Sequence, residues 1–449
     1  MREVICIHIG QGGVQVGDTI WEQFCLEHDI QPNSESRKDE MMDKKAGADA
    51  DDSFTRIFSE SSNSNLVPRA FFLDLEPTAI DELRTGARRS LYEPSQLVSG
   101  KQDTASVFAA GRYTAGKEII DTAMDRIRTL ADDCCYLQSF LIFNTAGGGT
   151  GSGLGSLLLE SLSTEYGKTV KIGFPIYPSS KLSYSPTEPY NALLASHFLI
   201  EHQESTHLFE NEALYRICQK KLELQTPTLI NLNRLISNVV SCGTSSLRFD
   251  GYYGDMTEYV GGLIPYPRLH FNISSSFPFC PDKANLSHSF EEITHGAYDP
   301  ENFVVTCNPR YGKYMSSTII YRGDFALKDP GLLSLKATNT VKFVYWNPTG
   351  FRVGIERRPV ACLHGDVSGK GGRSACTCSN STAIREVFEG YAEGFDKMFG
   401  KRAFVHWYVS EGMEEGEFSD AREDIATLIE DYSEIEADDG VADETKQFN

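Results

Sequence analysis

No apolar run in this 449-residue sequence approaches the roughly 20 residues needed to cross a bilayer. The first residues, Met1-Arg2-Glu3-Val4-Ile5-Cys6-Ile7, lead into a strand pattern and not into a signal peptide, so a cytoplasmic location and no membrane partner are expected. Positive charge is scarce: the formal net charge is −21. Nucleic-acid binding rests on Lys and Arg neutralising phosphates, so that class is disfavoured and basic partners are favoured. The cysteines form no disulfide framework. Their number, 11, is odd and their spacing irregular, which points to reduced, mostly buried thiols. Internal repeats are lacking, and so is the Gly-Lys-Ser/Thr ending of a P-loop.

With 40% hydrophobic residues the chain can bury a large core, divided by ordinary domain sizes into two or three units. In the first half, apolar runs at Val4–Ile9, Ala70–Leu73, Ser139–Phe143 and Val170–Ile176 read as strands. Between them Ile120, Met124, Ile127 and Ala131 recur at helical spacing. Strands alternating with helices predict an α/β unit with a doubly wound parallel sheet over residues 1–210. Residues 31–52 lack periodicity and read as a long exposed loop. A helix after Asn231, carrying Leu232, Leu235, Ile236, Val239 and Val240, is expected to be a spine between domains. The runs Phe303–Cys307 and Val341–Trp346 read as β-rich segments of a mixed α+β intermediate domain over 211–383. Periodic apolar residues from Val387 to Phe399 and from Phe418 to Tyr432 give a C-terminal helical layer over 384–433. Residues 434–449, rich in Asp and Glu, should form a disordered acidic tail, either a solubility device or a docking surface.

The strongest chemical signal is Gly147-Gly148-Gly149-Thr150-Gly151-Ser152-Gly153, between an apolar strand and a helix that holds Leu154, Leu157 and Leu158. Glycines let backbone approach an anion closely, and a helix N-terminus offers unpaired N–H groups with favourable polarity. A second turn, Gly10-Gln11-Gly12-Gly13, also follows a strand and precedes a helix that starts near Val14. Two such loops at the carboxyl ends of strands in one sheet mark where open α/β folds bind ligands. Asp74, Glu76 and Asp103 stand at further strand ends and could serve the magnesium ion of a nucleoside triphosphate, although each could equally be a helix cap.

These loops, with Asp74-Leu75-Glu76-Pro77-Thr78, Glu188-Pro189-Tyr190-Asn191, Asn231-Leu232-Asn233-Arg234-Leu235, Tyr266-Pro267-Arg268 and the run from Lys401 to Tyr408, resemble the tubulin superfamily nearly end to end. The stretch Glu411–Ser419 and the length of the segment Arg357–Cys378 resemble the α-type. The resemblance implies a GTP-binding subunit of microtubules in the cytoplasm that pairs with β-tubulin and touches lateral tubulin neighbours. It also implies that basic microtubule-associated proteins and motors dock on the acidic C-terminus. It places Gly10, Gln11, Gly12, Thr145, Gly148, Gly149, Thr150, Gly151 and Ser152 around the nucleotide, Asn211 and Asn233 on the guanine, Glu188 on the ribose, and Asp74, Glu76 and Asp103 at Mg2+. Glu258, in Asp255-Met256-Thr257-Glu258, would act in trans on the GTP of the next subunit, while the chain's own GTP stays unhydrolysed.

Several positions depart from that pattern. Leu229 replaces a usual base-stacking Tyr, Ser106 a usual Asn and Tyr184 a usual Thr, and the chain ends Phe448-Asn449 without a terminal Tyr. Lys44 and Lys45 stand near the position where the family often carries an acetylated lysine. Cys362, His364, Cys376 and Cys378 have zinc-ligand chemistry, but the resemblance gives them no metal role. Two other readings compete: a tubulin relative outside the polymer, and a metabolic enzyme using a nucleotide cofactor such as NAD.

Overall fold

The computed structural model describes residues 2–30, 52–61, 65–179, 185–249, 255–279, 288–325, 341–361 and 372–438. Residues 31–51 with Lys44 and Lys45, Tyr184, residues 280–287, Cys362, His364 and the tail beyond 438 lie outside the described residues.

The strands are β1 (Glu3–Ile9), β2 (Phe58–Glu60), β3 (Leu66–Pro68), β4 (Ala70–Asp74), β5 (Leu97–Ser99), β6 (Leu137–Thr145), β7 (Val170–Tyr177), β8 (Ser205–His207), β9 (Phe209–Glu210), β10 (Phe271–Phe277), β11 (Tyr314–Arg322), β12 (Phe351–Glu356) and β13 (Ser374–Ser381). All but β2 and β3 join one sheet in the order β12–β11–β13–β10–β8–β7–β6–β1–β4–β5, with β9 beside β7. From β5 to β10 every pairing is parallel. Only β13 runs against its neighbours β10 and β11. The fold is therefore α/β with a mostly parallel central sheet. The central strands are buried along nearly their whole length, which is why they read as continuous apolar runs and not as alternating ones.

The helices are α1 (Gly10–Glu27), α2 (Pro77–Thr85), α3 (Ala115–Asp132), α4 (Gly155–Glu165), α5 (Glu188–His202), α6 (Asn211–Lys220), α7 (Leu229–Gly243), α8 (Ser245–Arg248), α9 (Met256–Leu263), α10 (Phe290–Ala297), α11 (Arg385–Phe399), α12 (Val405–Ser410) and α13 (Gly416–Ala437). The long core helix α7 packs against α1: the Gln23 side chain donates to Asn238 at 2.9 Å and accepts from the Ser237 hydroxyl at 2.6 Å. One large core runs through the sheet and its helices. A smaller one, around Ile293, Tyr298, Tyr314, Ile319 and Tyr321, lies between α10 and the far strands.

Three sequence expectations are corrected. The helix placed after Asn231 begins at Leu229, because Asn231 Oδ1 reaches back to the N–H and hydroxyl of Thr228 and closes a capping box. Phe303–Cys307 and Val341–Trp346 form no regular strands, and each makes a single bridge. The backbone of Val304 is shared between two partners, donating to Ser274 O and accepting from Glu210 N, so no ladder can extend along it. Finally, α1 starts at Gly10 and not near Val14. Gly10, at φ +73°, turns the chain from strand to helix in one residue, in the left-handed region that only glycine enters without strain.

Candidate functional site

A cleft of ≈ 440 Å³ opens at the carboxyl ends of β1, β4, β6 and β7 and the N-termini of α1, α5, α6 and α7. Gly10, Gln11, Gly12, Asp74, Glu76, Asp103, Thr145, Gly148, Gly149, Thr150, Gly151, Glu188, Asn211 and Asn233 all line it, together with Leu229 and Ser106. Two residues of the expected set do not. Ser152 is buried behind the loop, where its N–H and hydroxyl both donate to the carbonyl of Gly148, at 3.2 and 2.5 Å. Glu258 is exposed on the first turn of α9, away from this cleft.

The phosphate end is walled by backbone. A Cβ on Gly151 would fall 2.4 Å from Thr145 O, and one on Gly149 would fall 2.5 Å from Thr104 Oγ1 and 2.7 Å from Val107 N. Nothing larger than glycine fits. The loop then tightens into a π-helical turn at Thr150–Leu154, while the amide of Asn144 at the end of β6 donates to Gly151 O at 2.9 Å.

Opposite this loop, Ala105 and Ser106 adopt left-handed backbone at φ 47° and 59°. That conformation is uncommon for non-glycine residues and needs support. Asn191 supplies it. Fully buried, its amide donates to Ser106 O and Gly147 O, both at 2.8 Å, and its carbonyl oxygen accepts from Phe108 N at 3.1 Å and from the Tyr408 hydroxyl at 2.7 Å. One side chain thereby ties both phosphate-facing loops to α12. Sequence reasoning quoted Asn191 without giving it this task, and a lone Asn carries no sign of it. Gln15 was also missed. It lines the cleft four residues after Gln11, a helical spacing that would have placed both on one face.

The electrostatics of the cleft constrain its ligand. Among the described residues its lining includes Asp74, Glu76, Asp103 and Glu188 but neither Lys nor Arg. Burial, opposed by the N–H groups of Glu76 and Leu75 and aided by the charges of Glu76 and Asp103, pushes the Asp74 carboxyl up to about 7, and its Oδ2 has no hydrogen-bond partner. A divalent cation between these carboxylates and a triphosphate would offset the repulsion between the two sets of negative charge. Among the described residues no three acidic, His or Cys side chains form a ready-made metal cage. Mg2+ commonly takes one or two carboxylates and completes its shell with phosphate oxygens and water.

Residues 3–219 match the family model described as the Tubulin/FtsZ family GTPase domain, and residues 267–393 match that of the tubulin C-terminal domain. The chain belongs to the tubulin family. Most of the residues that line the cleft lie within the segment matched by the GTPase domain, a family that binds GTP, and the second match covers β10 to β13 and the first part of α11. Among the described residues no helix is long and apolar enough to cross a membrane.

Proposed function

We propose that this chain is an α-type tubulin: it retains its own GTP, pairs with a β-type partner, polymerises into microtubules, and supplies Glu258 to the nucleotide of the next subunit. The observation that carries this reading is the placement of Glu258 relative to β6. Thr145 and the glycine loop sit at the carboxyl end of β6, while at its other end Gln138 Nε2 donates to Asp255 Oδ1 at 2.5 Å and so holds the cap of the Glu258 helix. Donor carboxylate and acceptor cleft thus lie at opposite ends of one strand. Head-to-tail stacking would bring the exposed Glu258 of one subunit to the cleft of another, a heterologous contact that generates open filaments.

In such a contact the Glu258 carboxylate would orient a water for in-line attack and accept its proton. In the chain's own cleft, Asp74, Glu76 and Asp103 would hold Mg2+, which when bound neutralises phosphate charge. Gly148 to Gly151 would present backbone N–H groups to the phosphates, and Asn211 and Asn233 would read the guanine edge. The acidic face of α13 and the residues beyond it would receive basic partners.

The test is to co-express the chain with a β-type partner and count guanine nucleotides before and after exchange into excess labelled GTP. The α-type reading requires one retained and one exchanged guanine per dimer. A single guanine, or none, would favour a family member that has lost this role, with Leu229 and Ser106 as the altered contacts. In the same system, Glu258→Ala should leave the dimer intact and yield polymers that keep GTP; ordinary phosphate release from those polymers would refute catalysis in trans.

A further inference from the structure

Helix α9 carries Glu258 on a weak frame. It is eight residues long and contains Gly261 and Gly262 in succession, the poorest helix formers apart from proline. A helix this short does not hold itself together in water, so its geometry is set by its supports. At its start Asp255 Oδ1 accepts from Thr257 N at 2.8 Å and from Gln138, and Arg2 stands 3.5 Å from Asp255 Oδ2. At its end the carbonyl of Leu263 accepts from the Ser316 hydroxyl and the Asn380 amide. Its inner face, Met256, Tyr259, Val260 and Leu263, is buried.

The support on the outer side is Arg352, from β12. A Cβ on Gly262 would fall 1.9 Å from Arg352 Nη1 and 2.1 Å from Cζ, so the guanidinium fills the space that a side chain at 262 would take. From that seat Nη1 donates to the backbone carbonyl of Glu258 itself at 3.4 Å. We propose that Arg352 is a positioning residue for Glu258, seated by Gly262, and that it fixes the helix turn from which the carboxylate is presented to the neighbouring nucleotide. The inference rests on the trans-acting role of Glu258 proposed above. The bonds from Gln138 of β6, Ser316 of β11 and Asn380 of β13 set where the helix lies. Arg352 acts on the residue that does the work, because its hydrogen bond is to the carbonyl of Glu258 itself while its guanidinium rests against Gly262 one turn on.

The test uses the full chain with its β-type partner and measures phosphate release per polymerised dimer, the assembly threshold, and guanine content of the free dimer. Arg352→Met removes the guanidinium. Gly262→Ala keeps it but drives it from its seat, and by propensity would strengthen the helix, so a loss there cannot come from fraying. Both variants are expected to slow hydrolysis by on the order of tenfold or more, as misplacement of a reacting group does, with threshold and nucleotide content unchanged. Native hydrolysis in Gly262→Ala polymers, or slowing that appears only as a raised threshold, would overturn the proposal. If Arg352→Met does not assemble, Gly262→Ala alone decides. Glu258→Ala run in parallel separates the two layers: normal hydrolysis there removes the trans-acting reading itself, whereas slow hydrolysis in Glu258→Ala beside native rates in the other two removes only Arg352.

Discussion

At the phosphate end of the cleft, Gly149 and Gly151 leave no room for a methyl group, and the loop opposite is pinned by a fully buried Asn191. At the base end, Leu229 is 48% exposed, and it, Asn211 and Asn233 project from the first turns of α6 and α7. With GTP bound as proposed, one end would grip with backbone and the other would read with side chains. A backbone grip cannot drift by single substitutions without a clash, whereas a half-exposed side chain on a helix end can be exchanged with little disturbance to its surroundings. The departures noticed in the sequence fall on side chains at both ends, Leu229 on α7 and Ser106 in the loop opposite the glycines, while the glycines themselves, 147 to 149 and 151, are in place.

The largest predicted effect asks what keeps the phosphate end rigid. Helix α1 starts at the cleft with Gly10 and ends at Glu27, a buried carboxylate 2.7 Å from Arg248 Nη1 and 3.2 Å from Arg322 Nη1, and bonded by the Ser241 hydroxyl at 2.7 Å. Burial alone would raise this carboxyl, but Arg322 and Arg248 hold it down to about 2. Glu27→Gln would leave two buried cations without their counter-charge and should cost about 3–5 kcal/mol in denaturant unfolding. Because the folded value lies below the usual 4.5, the stabilisation is present above that pH and is lost as pH falls toward 2. The variant should flatten that limb of the acid-unfolding curve; an unchanged limb would mean that the triad does not anchor α1.

A smaller effect probes the grip itself. Gly151→Ala should destabilise by about 1–3 kcal/mol and lower the nucleotide recovered with the purified protein. Full retention of nucleotide would break the comparison, since it would mean that the phosphate wall yields as easily as the base end. The smallest effect belongs to the base end, where Leu229→Tyr should tighten guanine-nucleotide binding by about 0.5–1.5 kcal/mol through stacking, with no change in melting temperature of the nucleotide-free protein. Equilibrium titration decides it, and equal affinity in the two forms would show that the base is not stacked at this position.

How much of this was legible follows the same division. The strands at Val4–Ile9, Ala70–Leu73, Ser139–Phe143 and Val170–Ile176 were readable because buried parallel strands are apolar throughout, and the observed elements overlap all four. The glycine loops were readable because close backbone approach leaves glycine as its trace. Phe303–Cys307 misled because burial also makes an irregular segment apolar: Phe303, Val304 and Val305 are wholly buried without belonging to a strand. Asn191, the Glu27 triad and the seat of Arg352 on Gly262 were not legible at all. Each joins residues far apart in the chain, and their meaning arises only once the fold has brought them together.

Strand β6 has a last consequence. Its nine residues span about 30 Å, with the anchor of the Glu258 helix at one end and the phosphate loop at the other. In the proposed filament that strand acts as a ruler: the part of the step between successive reaction centres that lies inside a subunit would be written into the length of a covalent chain, leaving only the contact between subunits to vary the rest.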